Sequence, residues 1–166
     1  FSSCSNLSSV AIPASVTSIG AYVFENCSAL TCITVDNNNP NYSSDKYGVL
    51  FSKDKTTLVR YPIGNTNSTY TIPSNVSIIG SYAFDDCIGL TSITIPDSVT
   101  SIEHGAFRYC TGLTSVTIPD SVTAIGSSVF EYCQKLTRVT LSGSITSISA
   151  YTFEYCTSLT SITIPN

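Results

Sequence analysis

Phe84–Phe107 reads FDDCIGLTSITIPDSVTSIEHGAF, and the segment that begins at Phe107 reads FRYCTGLTSVTIPDSVTAIGSSVF. A further copy starts at Phe130 and an incomplete one at Phe153. The phenylalanines at 84, 107, 130 and 153 are 23 residues apart. Self-similarity at a fixed period of this length is the signature of a solenoid in which each repeat forms one coil. The unit can be written F-x-x-C-x-x-L-x-x-[IV]-x-[ILV]-P-x-x-V-x-x-I-G-x-x-[AV]. Within it Ile93 and Ile95 alternate with Ser92 and Thr94, the period-2 pattern of a short strand with one buried face. Pro96 removes a backbone donor and ends that strand. Val99 and Ile102 mark a second short apolar segment. The stretch exemplified by AFRYC (106–110) is too short for a stable free helix and is expected to form one helical or 3-10 turn. No unit can bury its apolar residues alone, whereas stacked units can. The expected fold is a repeat solenoid, α/β by class but β-dominated. Each 23-residue coil supplies one parallel strand, a short second strand and the turn.

Working outward, Phe1–Val23 is a complete but divergent repeat, and another begins at Phe24. The period then breaks. Phe24 to Phe84 is 60 residues, or 23 plus 37, which implies an enlarged coil or hairpin insertion at about 36–70. DNNNPNYSS is a polar turn cluster. YGVLFS (47–52) and TTLVRYP (56–62), joined by KDK, read as a β-hairpin with a polar tip. Four of the seven basic residues (Lys46, Lys53, Lys55 and Arg60) lie here. The domain reading is a single solenoid over 1–166, with repeats starting at 1, 24, 84, 107, 130 and 153. The chain begins and stops inside a repeat, so it is read as a piece of a longer protein.

Charged residues make up 11% of the chain, with a net charge of −4, while 28 Ser and 22 Thr carry hydroxyls. Seven dispersed basic residues cannot form the cationic stripe that phosphate backbones require, which argues against nucleic acid. No run of about 20 apolar residues is present to insert into a membrane.

The repeat pattern, together with the NPNYSS…YGVLF…LVRYP insertion, resembles the BspA-like class of leucine-rich repeat surface proteins across essentially the whole chain. Ile and Val stand where Leu is usual in other leucine-rich repeats. The resemblance implies a solenoid at the cell surface or outside the cell that engages a host or matrix protein, or a glycan. It implies no catalytic residue and no cofactor. The competing expectation is a rigid spacer with no ligand of its own.

Several residues are candidates for chemistry. Cys4, Cys27, Cys87, Cys110, Cys133 and Cys156 each lie three residues after a repeat phenylalanine. They are therefore expected to stack as a structural ladder, not to gather as a metal site, which needs close spacing such as C-x-x-C. Cys32 falls outside the ladder on an outward strand position. His104, the single histidine, is read as solvated, because a general base needs a nucleophile and an orienting group around it. Asp85 and Asp86 are read as a solvated acidic pair, and Arg108 and Glu131 as a possible surface pair. Binding candidates are the outward strand rows Thr34, Thr94, Thr117, Thr140 and Thr163, and Ser92, Ser115 and Arg138. To these are added the tyrosine row Tyr109, Tyr132 and Tyr155, and Lys53, Lys55 and Arg60 of the insertion. Exposed tyrosines offer contact area at low entropic cost. Structural readings compete with each: threonine is a good exposed strand residue, and stacked tyrosines can simply support one another.

Overall fold

The structure, a computed structural model, describes residues 1–163. β1 (Ser9–Ile12) and β2 (Cys32–Val35) pair in parallel, with Val10 opposite Ile33. β3 (Tyr42–Ser44), β4 (Leu50–Ser52) and β5 (Thr57–Arg60) form an antiparallel meander. Thereafter each coil contributes a three-residue and a two-residue strand. These are β6 (Thr69–Thr71) and β7 (Ile78–Ile79), β8 (Ser92–Thr94) and β9 (Ser101–Ile102), and β10 (Ser115–Thr117) and β11 (Ala124–Ile125), followed by β12 (Arg138–Thr140). The longer strands make a parallel sheet in the order β12-β10-β8-β6. The short ones make a second sheet, β11-β9-β7-β5-β4-β3, in which the meander continues the parallel run through Thr57 and Ile78.

The alternation legible in the sequence sets the faces: Ile93, Val116 and Val139 point inward, between exposed polar residues. The rings of Phe84, Phe107, Phe130 and Phe153 stack at centroid distances of 5.0, 5.4 and 5.7 Å. Burying a Phe or Ile side chain contributes about 1.5–3 kcal/mol, and every coil repeats the contribution.

The expected helical turn does not form. The residue two after each repeat phenylalanine is left-handed, with φ of 61° at Asp86, 56° at Tyr109, 59° at Tyr132 and 57° at Tyr155. The amides of Tyr82, Phe84 and Asp86 donate to the carbonyls of His104, Ala106 and Arg108 in the next coil. Those of Ala83, Asp85 and Cys87 close four-residue turns in their own coil. A helix would keep all these donors to itself and orphan the buried carbonyls of the neighbouring coil, which is costly. Stacking overrides the local propensity.

The enlarged region is also arranged differently from the sequence expectation. Tyr61, 23 residues before Phe84, takes the phenylalanine position: its amide donates to Ala83 O and its ring stacks on Phe84 at 5.3 Å. Residues 61–83 thus make a coil of regular length, and the enlarged coil is 24–60, 37 residues long, or 14 above the period. The polar cluster at its start is ordered by Asn39, which is fully buried. Its Nδ2 donates to Pro13 O and Val16 O, and its Oδ1 accepts from the amides of Asn41 and Tyr42. The meander is core on both faces. Leu50 packs with Ile12, Phe24 and Ile33, while Val49, Phe51 and Leu58 pack with Tyr61 and the later coils. It divides the interior into a small N-terminal cluster and a large C-terminal one.

Candidate functional site

The longer-strand sheet presents two outward rows. Thr71 lies opposite Thr94, Thr117 opposite Thr140, and Thr140 bridges to Thr163. Thr69 lies opposite Ser92, Ser92 opposite Ser115, and Ser115 opposite Arg138. Thr69 and Thr71 are members that the sequence reading missed. The aromatic Tyr61 in the phenylalanine position is the signal that would have found them. Thr34 does not belong with them: it is in the two-stranded sheet, opposite Ala11, and donates to Val10 O at 3.3 Å. The enlarged coil separates β2 from β6, so the row is interrupted.

A set of other hydroxyls joins the coils. Thr91, Thr114 and Thr137 donate to the carbonyls of Ser68, Thr91 and Thr114, at 3.0, 3.2 and 3.0 Å. Ser98 and Ser121 do the same toward Val76 and Val99. Part of the high Ser and Thr content is therefore a structural device. The outward residues Thr94, Thr117 and Thr140 are exposed and, with Ser92 and Ser115, line an open trough of about 610 Å³ whose rim carries Asp97 and Asp120. Such a surface offers donors and acceptors in register, with negative charge along one edge.

The tyrosine row is a stack. Tyr109 and Tyr132 are 4.6 Å apart between centroids, and Tyr132 and Tyr155 4.4 Å. Tyr155 is exposed, and the other two are half-buried. Lys53 and Lys55 are exposed at the hairpin tip, with Lys53 Nζ donating to Asn37 O at 2.8 Å. Arg60 is not at the surface. It is 5% exposed, and its guanidinium donates to the carbonyls of Tyr82 and Asp85. Its place beside a turn segment rich in inward carbonyls explains why it is buried.

Asp85 is likewise not solvated. It is 1% exposed and grips Arg108, with Nε donating to Oδ1 at 2.8 Å and Nη2 to Oδ2 at 3.3 Å. Arg108 also reaches Glu25 at 3.8 Å, so its partners lie in preceding coils and not at Glu131. This ion pair holds the Arg108 pKa above its ordinary value. Asp86 is pushed up by burial and by the neighbouring Asp85 charge. His104 is partly buried, its Nδ1 2.6 Å from Ser127 Oγ and its ring edge-on to Tyr82. Glu103 turns to Ser81 instead.

The thiols of Cys110, Cys133 and Cys156 meet the carbonyls of Phe84, Phe107 and Phe130 at 3.1, 3.2 and 3.0 Å, and Cys27 meets Phe1 O at 2.9 Å. Each adds a second donor to a carbonyl that already accepts an amide in the coil before it. Burial pushes the Cys87 thiol up to about 12. Cys4, in the first coil, is exposed, and all seven thiols are free. Cys32 is half-buried: Gly48, at φ 74°, lies so close that a Cβ there would come within 2.9 Å of its sulfur. No cluster of three or more His, Cys, Asp or Glu side chains suited to a metal occurs among the described residues.

A second, smaller pocket of about 320 Å³ lies where the longer-strand sheet is interrupted, lined by Tyr47, Tyr61, Asn67, Thr69, Tyr70 and Thr71. The hydroxyls of Tyr61 and Tyr70 are buried there and have no hydrogen-bond partner. Burial raises both phenols, Tyr61 to about 12.

The profile of the BspA type leucine rich repeat region matches residues 1–50 and 63–166, in six copies. The unmatched segment contains β5 and most of β4. A leucine-rich repeat protein from Eubacterium ventriosum ATCC 27560 superposes with a TM-score of 0.88 at 33% identity, over 96% of this chain and 42% of that one. A leucine rich cell surface protein from Faecalibacterium prausnitzii A2-165 gives 0.71 at 29%, over 94% and 47%. The pneumococcal vaccine antigen PcpA gives 0.70 at 26%, over 94% and 44%. The chain spans less than half the length of each. No curated protein matches it. With the repeat profile matching on both sides of the meander, the chain belongs to the BspA-type leucine-rich repeat family.

Proposed function

We propose that the chain is a binding portion of a bacterial cell-surface or secreted protein, adhesin-like and non-enzymatic, which holds a partner protein against the Ser/Thr trough. The observation that carries this reading is the contrast between two sets of hydroxyls. Those of Thr91, Thr114 and Thr137 are turned into inter-coil bonds, whereas Thr94, Thr117 and Thr140 face outward around the trough. Extended repeat surfaces of this kind are suited to contact over many coils. Asp97 and Asp120 favour a partner segment with basic side chains, whose attraction weakens with salt. The descriptions of the Faecalibacterium cell surface protein and the pneumococcal antigen support a surface setting.

The test is surface plasmon resonance against immobilised extracellular-matrix proteins, with the unaltered chain beside Thr117→Lys and Ser115→Lys. Saturable binding that falls at least tenfold in both variants supports the reading. Binding unchanged in both moves the contact elsewhere. Absence of binding favours a rigid spacer, a reading that the hydroxyl bonds between successive coils support.

A further inference from the structure

We propose that the pocket between Tyr47 and β6 is a carbohydrate site that takes one neutral, hydroxylated sugar ring, separate from the trough. Four observations converge on it. First, the site is where the parallel sheet is broken: β6 pairs only with β8, and Gly48 O of the turn before β4 accepts the Ile33 amide of β2. The break leaves a pocket where regular coils have continuous sheet. Secondly, Tyr61 is 2% exposed, yet its hydroxyl and that of Tyr70 have no partner. A buried hydroxyl without a hydrogen bond costs about 1–3 kcal/mol, and two side by side are a standing demand for donors and acceptors. Asn67 approaches the Tyr61 hydroxyl without completing a hydrogen bond. Thirdly, Tyr47 is 51% exposed beside this polar lining, and its ring, whose centroid Lys46 Nζ approaches to 4.9 Å, is a platform on which a sugar's C–H face can lie in place of that ammonium. Fourthly, none of the lining side chains is charged, and charges of both signs lie close by, Asp45 toward the phenols and Lys46 over the Tyr47 ring. An uncharged lining makes a neutral polyhydroxylated ligand the best match.

The volume, about 320 Å³, lies at the small end of ligand sites, roughly 300–1,000 Å³, so the site suits one ring or the end of a chain. The two phenols lie just beneath the pocket surface.

The test is an NMR titration of the intact chain with methyl glycosides of glucose, galactose, mannose, N-acetylglucosamine and N-acetylgalactosamine, into the tens of millimolar. At least one sugar is expected to give saturable shifts centred on Tyr47, Asn67, Thr69 and Tyr70. Tyr61→Phe removes an unpartnered hydroxyl, so its melting temperature is expected to hold or rise while affinity falls about tenfold. Tyr47→Ala is expected to abolish binding with the fold unchanged. The proposal is overturned if no sugar gives saturable shifts, if the shifts centre on other residues, or if Tyr61→Phe binds as well as the unaltered chain. Response to an unglycosylated peptide alone also overturns it. Thr117→Lys, which lies outside the pocket, is expected to leave sugar binding intact, so the trough and the pocket can fail independently.

Discussion

Asp86 shows how stacking strains individual residues. It is left-handed, at φ 61°, half-buried and next to the buried Asp85 carboxylate. Its folded pKa is raised above the ordinary carboxylate value, by burial first and by Asp85 second. The folded chain therefore holds this proton more tightly than the unfolded one. The contribution to stability is complete below the unfolded value and is lost as pH rises through the folded value. Asp86→Asn removes the charge and keeps a residue tolerant of left-handed backbone. It is expected to stabilise the protein slightly at pH 7, by no more than about 0.5 kcal/mol. At a pH below the unfolded value the gain should vanish, and paired thermal melts would show both. The cysteines give a second residue-scale prediction. The thiolate is the reactive form, and burial holds the thiols of Cys87, Cys110, Cys133 and Cys156 neutral. A native thiol titration should therefore show Cys4 reacting fast and Cys32 slowly, with the five buried thiols reacting only after denaturant is added. More than two native thiols would contradict the inward ladder. The Cys ladder itself was legible in the spacing. The carbonyl that each thiol meets was not, because it belongs to another coil.

At the scale of elements, the meander is tied to the first coil by Asn39. Asn39→Ala removes the side-chain donor to Pro13 O and Val16 O, the first of which keeps the Val16 amide, and leaves the amides of Asn41 and Tyr42 without their acceptor. Several buried bonds lost at once are expected to cost about 2–4 kcal/mol, measured by urea unfolding. An unchanged midpoint would show that the meander is anchored by its apolar residues alone. The hairpin of β4 and β5 was readable from two apolar runs around a polar tip. β3 was not, since DNNNPNYSS carries turn chemistry, and only pairing of Tyr42 with Ser52 makes Tyr42–Ser44 a strand. Similarly, AFRYC has the length and composition of a helical turn, but donors committed to the next coil forbid it.

For the molecule as a whole, the interior is uneven. The cluster before the meander contains six buried residues and the one after it thirty. Coils of a solenoid contact only their neighbours, so stability is close to a sum of local terms, and parts with few buried contacts open first. In this 166-residue chain, amides of residues 1–35 are expected to exchange with solvent at least tenfold faster than those of 84–141. Hydrogen exchange read by mass spectrometry would show it, and uniform protection would mean that the meander couples the two cores into one unit.

The sequence by itself determined the period, the strand in each coil, the inward and outward alternation, and the family. All of these are local patterns repeated often enough to be unmistakable. Tertiary structure decided the rest: Tyr61 as a stacked phenylalanine equivalent, Arg60 drawn inside, Arg108 joined to Asp85, turns in place of a helix, and the tyrosine pocket at the broken sheet. Each of these depends on which carbonyl, ring or carboxylate a neighbouring coil places opposite, and that is set by how the coils stack in space and not by the order of residues within one repeat.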